Sequence, residues 1–241
     1  VGYNSYVGES DIDQGAGSGV PYPYVYGAVR AVGVMKPNFD ARTGQFMPPQ
    51  LKIVGTGFWL RDRRAFVTCA HVVEKFLRGP ITAVGMLMVG GNGVRYQQAG
   101  IAILDSVHDL AILRMLRADS PFLDAQMENA LSVAERDLQI GDEVCYAGFP
   151  FGDQLLNSKH SPTYSEGVIG SEILEDTEPK LIQITGAIAG GYSGAPVVLK
   201  SAPERVVAVV SNSPSKEVGD ASIFRGIHWK HVKALLDLVQ S

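Results

Sequence analysis

The 241-residue, 25.9 kDa chain can bury a core without disulfide or metal staples, and 46% hydrophobic against 19% charged residues excludes a disordered chain. With 21 Lys and Arg against 25 Asp and Glu the net charge is −4, so no cationic excess points to nucleic acid or an anionic membrane surface. Two cysteines rule out a disulfide framework, and no apolar run reaches the length of a membrane span. The lack of disulfides and of a signal-peptide pattern leans the expectation towards the cytoplasm.

In chain order, Ser18-Gly19-Val20-Pro21-Tyr22-Pro23-Tyr24 mixes turn formers with aromatics. It suggests an extended arm over residues 1–26, with a loose tail as an equal alternative. Strands are then expected at Ala28–Val34, Lys52–Leu60, Ala65–Ala70, Ile81–Val89, Val94–Leu104 and Leu110–Leu116. The prolines of Lys36–Gln50 make that segment a loop. Residues 119–139 mix polar and apolar positions around Pro121 and read as a linker with one short helical turn. A second series follows at Glu143–Ala147, Glu166–Ser171, Leu181–Thr185, Ala195–Leu199 and Arg205–Val210, with a further long loop at Asp153–Ser165. Val232, Leu235, Leu236 and Val239 form one apolar stripe at helical spacing, so residues 228–241 close the chain as a helix. This is an all-β organisation of two barrels, residues 27–118 and 140–227, with a C-terminal helix.

Three segments could do chemistry. Phe66-Val67-Thr68-Cys69-Ala70-His71 places a histidine where a strand ends, and His108-Asp109-Leu110 places an aspartate immediately before one. Gly190-Gly191-Tyr192-Ser193-Gly194 places a serine in a glycine-rich turn. A serine hydroxyl needs a base to become a nucleophile, imidazole titrates in the right range to be one, and a buried carboxylate fixes its tautomer. Glycines permit a tight turn whose N–H groups converge on one oxygen. Each piece alone is ordinary; the three in this order, each beside an expected strand, are not.

On these residues the chain resembles a chymotrypsin-fold, trypsin-like serine protease, and most of all the protease domain of the high-temperature-requirement, or Deg-type, branch. Thr56-Gly57-Phe58 is similar to that family's Gly-Ser-Gly-Phe strand. Gly141-Asp142-Glu143-Val144 through Gly148-Phe149-Pro150-Phe151-Gly152 resembles its entry into the second barrel, and Glu166-Gly167-Val168-Ile169 its Ser-Gly-Ile-Val strand. Gln183-Ile184-Thr185-Gly186-Ala187 stands where Gln-Thr-Asp-Ala precedes the nucleophile. The resemblance implies two six-stranded antiparallel barrels with the active site between them. His71 would be the general base, Asp109 its orienting partner and Ser193 the nucleophile, with the N–H groups of Gly191 and Ser193 as oxyanion hole. It implies a pocket base at Ala187 and Ile188 and a wall at Ser211, Asn212 and Ser213. No acid lies among them, so cleavage is expected after small or medium apolar residues of a protein or peptide substrate. The function implied is a serine endopeptidase working through an acyl-enzyme without cofactor, metal, nucleic acid or membrane. The alternative is a protease-fold binding or regulatory module gated by a partner.

The chain departs from the pattern around the serine. Tyr192 replaces both the Asp of the digestive branch, which pairs with a newly cut N-terminus, and the smaller Asn of the Deg-type branch. Ala195 replaces a second Gly. Among other candidates, Asp105 is a rival to Asp109 but precedes a turn rather than a strand. His108 and His160 read as loop residues, and His228 and His231 as a solvated helix face rather than a zinc site. Cys69 and Cys145 read as two reduced core thiols.

Overall fold

A computed structural model describes residues 22–77, 84–90, 93–116, 120–150, 161–173, 181–211 and 224–239. Asn212, Ser213 and His160 lie outside them, as do residues 1–21 of the expected arm. The remainder of that arm is not extended: Tyr22–Ala28 folds as helix α1, with Val25 and Ala28 buried. Pro23 sits in its first turn, where an absent N–H breaks no hydrogen bond.

The first barrel contains β1 (Val29–Asp40), β2 (Gln45–Leu60), β3 (Ala65–Thr68), β4 (Val84–Gly90), β5 (Gly93–Asp105) and β6 (Leu110–Met115). The strands close in the order β1-β2-β3-β6-β5-β4, antiparallel throughout. The expected loop Lys36–Gln50 is instead the far end of a long β1–β2 hairpin. Its register shifts between Lys36 and Asn38, so Pro37 sits at an irregularity that spares the ladder a missing donor. Between β3 and β4 the chain forms helix α2 (Ala70–Leu77).

Helix α3 (Ser120–Met127) supplies the helical piece of the linker, and β7 (Ser132–Val133) follows it. The second barrel comprises β8 (Glu143–Gly148), β9 (Thr163–Ile173), β10 (Leu181–Gly186), β11 (Pro196–Leu199), β12 (Ala202–Ser211) and β13 (Phe224–His228). The sheet runs β11-β8-β9-β10-β13-β12, and a β11–β12 pairing returns it on itself. β7 hangs on β12 in parallel, which ties the linker to this barrel. Valine-rich β11 and the end of β12 are buried on both faces, and helices α1 and α4 (Trp229–Asp237) pack against β12. Helix α4 closes the described chain, with its apolar stripe Val232, Leu235 and Leu236 inward. No helix among the described residues is long and apolar enough to cross a membrane.

Candidate active site

The candidate site forms where the two barrels meet. His71 lies in the first turn of α2, whose leading N–H groups have no partner within the helix. Asp109 supplies them: its carbonyl accepts from the Ala70 N–H at 3.1 Å and its Oδ1 from the His71 N–H at 2.9 Å. The same carboxylate reaches His71 Nδ1 at 2.8 Å. Asp109 holds a left-handed backbone, φ 53°, a region that aspartate tolerates better than most side chains. One residue thus caps the helix and grips the imidazole. Asp105 is turned to other partners, accepting from the Val107 and His108 N–H groups and bonding His108 Nδ1 at 2.6 Å.

Asp109 has a further donor, one that the sequence reading named only as pocket wall. Ser211 is buried and turns its hydroxyl onto Asp109 Oδ2 at 2.6 Å. Burial alone would raise the Asp109 carboxyl, but hydrogen bonding and charge from His71, then the Ser211 hydroxyl, hold it below the ordinary carboxylate range.

Ser193 occupies the turn between β10 and β11. Gly191 (φ 102°) and Gly194 (φ 87°) both adopt conformations that side chains disfavour. At Gly194 the need is doubled, since a Cβ would come within 2.0 Å of the Thr56 carbonyl oxygen. The Tyr192 N–H turns inward to Ala189 O at 3.2 Å, and Tyr192 O accepts from the Ala195 N–H at 2.8 Å. Among the described residues, the N–H groups of Gly191 and Ser193 donate to no protein carbonyl. The Ser193 hydroxyl likewise has no hydrogen bond among the described residues.

Thr56, on β2 of the first barrel, joins the two halves. Its N–H donates to Ser193 O at 2.8 Å and its hydroxyl to Gly191 O at 2.7 Å, while that hydroxyl accepts from the Phe149 N–H at 3.0 Å. Thr68 Oγ1 donates to Thr56 O at 2.6 Å. No sequence signal marked Thr56 as more than a strand residue.

Two trypsin-like traits now stand together: paired barrels, and a His–Asp couple beside a glycine-bounded serine. A family model for the trypsin-like peptidase domain matches residues 55–209. The chain belongs to the trypsin-like peptidase family. It is a serine endopeptidase, a hydrolase. No curated protein matches the sequence. Among solved structures, the fold is similar to that of an HtrA-type protease, AlgW, with a decapeptide. The TM-score is 0.65 at 18% identity, over 92% of this chain and 67% of the other.

The structure places the peptidase's other candidates as follows. Ala187 is exposed, and its carbonyl accepts from Tyr146 OH at 3.1 Å, whereas Ile188 is buried. Cys69 and Cys145 are both free and buried; Cys69 donates to Val210 O at 3.2 Å, and burial pushes its thiol well up. His228 and His231 correct the expectation of a solvated face, since both are buried. His228 Nδ1 caps α4 by accepting from the Lys230 N–H, and His231 stacks on His108 with ring centroids 4.3 Å apart. Among the described residues, the group of metal-capable side chains close enough to share an ion is Cys69, His71 and Asp109. Each already has a partner in the arrangement above.

Proposed function

We propose that the peptidase cleaves peptide bonds through a triad of Ser193, His71 and Asp109. The observation that carries this is the carboxylate of Asp109, held by Ser211 and bonded to His71 Nδ1, which leaves Nε2 as the imidazole's proton acceptor. His71 takes the Ser193 proton as Oγ attacks the scissile carbonyl, then delivers it to the departing amine. Asp109 stabilises the imidazolium formed in between. The free N–H groups of Gly191 and Ser193 receive the oxyanion, and water resolves the acyl-enzyme by the reverse sequence. The uncharged Ala187 and Ile188 support cleavage after small or medium apolar residues. A Lys or Arg side chain entering there would be desolvated without a partner carboxylate.

The test is covalent labelling by a fluorophosphonate probe together with hydrolysis of a peptide library. Labelling at Ser193 is expected, lost in Ser193→Ala along with turnover, while the fold is kept. Residual acceleration of about 10³–10⁴ over water can survive a triad knockout. Wild-type turnover in Ser193→Ala would refute the triad, and cuts predominantly after Lys or Arg would refute the pocket. Labelling without cleavage of any peptide would favour a module gated by a partner.

A further inference from the structure

Tyr192 stands between the two oxyanion donors of the proposed mechanism, yet its side chain points away from them. It is 2% exposed, its ring lies edge-on to Tyr146 with centroids 5.4 Å apart, and its hydroxyl ends on β9. There it lies 2.8 Å from Ser165 Oγ and donates to Thr163 O at 3.3 Å, so the Ser165 hydroxyl is the donor of the shorter bond. The ring needs room, and Gly148 provides it: a Cβ there would come within 2.8 Å of Tyr192 Cδ1. On the other side, Thr56 holds the carbonyls of Gly191 and Ser193.

We infer that Tyr192 is a positioning residue, whose hydroxyl, tied to Ser165 and Thr163, pins the oxyanion turn so that the Gly191 and Ser193 N–H groups stay directed at the substrate. The held Gly191 and Ser193 carbonyls and the Tyr192 side chain flank the Tyr192–Ser193 peptide that carries the Ser193 N–H, while the Tyr192 N–H on Ala189 O closes the turn around the Gly190–Gly191 peptide that carries the other donor. A peptide that turned would aim a carbonyl at the developing oxyanion in place of a donor, which is repulsive rather than merely neutral. The anchor is also uncharged. Burial raises the Tyr192 phenol and pushes Tyr146 up to about 12, so neither ionises through the working pH range of a histidine base. The activity part of the inference rests on the triad reading above; the anchoring part does not.

The test compares wild type with Tyr192→Phe, which keeps the ring and removes the hydroxyl. Loss of one neutral hydrogen-bonded anchor is expected to lower kcat about tenfold while KM moves less than about twofold. Affinity for a peptide boronate, which presents an oxyanion-like oxygen, should fall with kcat. Amide exchange over residues 189–195 should quicken by about the same factor. Ser165→Ala should show a weaker version of each change, and Ser165→Thr, which keeps a hydroxyl, should restore wild-type values. If Tyr192→Phe does not fold, the Ser165 pair carries the same readouts. Unchanged kcat and unchanged exchange would overturn the anchor. A drop in thermal stability with kcat and boronate affinity intact would equally overturn it, leaving only a packing role. Should the wild type fail to label with fluorophosphonate, the triad reading falls, and exchange over 189–195 still decides whether Tyr192 pins the turn.

Discussion

His71 and Ser193 are held by different physics. The histidine is positioned by a carboxylate, with the His71 N–H, its Nδ1 and the Ser211 hydroxyl gathered on Asp109. Among the described residues, the serine turn is positioned by neutral groups: Thr56, Tyr192 and main-chain groups. Under the proposed mechanism, a charge in a half-buried place serves where the imidazolium would form. Under the same mechanism the turn receives an oxyanion, so a fixed negative charge beside it would oppose the chemistry, and neutral dipoles avoid that opposition. Substitutions on the charged side should therefore act mainly on rate and acid behaviour, and those on the neutral side on rate alone.

The largest break is Asp109→Asn. The amide oxygen can still cap α2, so the fold should persist, but the His71 ring loses its anionic partner and its preferred tautomer. Turnover should fall by about 10⁴-fold, by analogy with the same change in a chymotrypsin-type triad. A loss under tenfold in steady-state kinetics would show that charge is not what holds His71. Ser211→Ala probes the same carboxylate from behind. Removing a donor at 2.6 Å from a charged acceptor should lower kcat about tenfold and let the Asp109 carboxyl rise towards its ordinary value.

The smallest effect is on stability in acid. Because Asp109 is held below its ordinary range in the folded protein, its contribution is complete above the unfolded value of about 3.9. It is lost as pH falls through the lower folded value. Thermal melts should show the wild type losing more stability than Asp109→Asn across that acid window, by a few degrees at most (roughly 2–4 °C per kcal/mol for a chain this long). Parallel curves would remove Asp109 from the acid limb.

What could be read in the sequence, and what could not, follows the range of the interactions. His71 after β3, Asp109 before β6 and Ser193 between glycines each stand in a short local motif that is legible as such, and the structure brings the first two into hydrogen-bond contact. The strand series is legible too, because alternation and turn residues are local. Tyr192 was visible only as a departure, since its partners Ser165 and Thr163 lie on β9, beyond β10 in the chain. The bond from the Ser211 hydroxyl to Asp109 was not legible, because nothing local tells which way a residue at a strand end points and its partner lies far upstream. The β1–β2 hairpin was hidden because Pro37, Pro48 and Pro49 break local propensity, while pairing along the rest of a 16-residue β2 overrides it. His228 and His231 read as solvated because the face they pack against includes His108 of the other barrel.

Thr56 has a consequence for how the molecule would fail. Its N–H, carbonyl and hydroxyl serve three different segments at once, and the bonds to Gly191, Ser193 and Phe149 all cross from one barrel to the other. A slip of about 1 Å between the barrels would stretch these together while leaving each barrel's own ladder intact, and misplacement of that size costs on the order of 10²-fold in rate. Activity is thus a far more sensitive gauge of docking than any measure of secondary structure: the enzyme would fall silent while still folded.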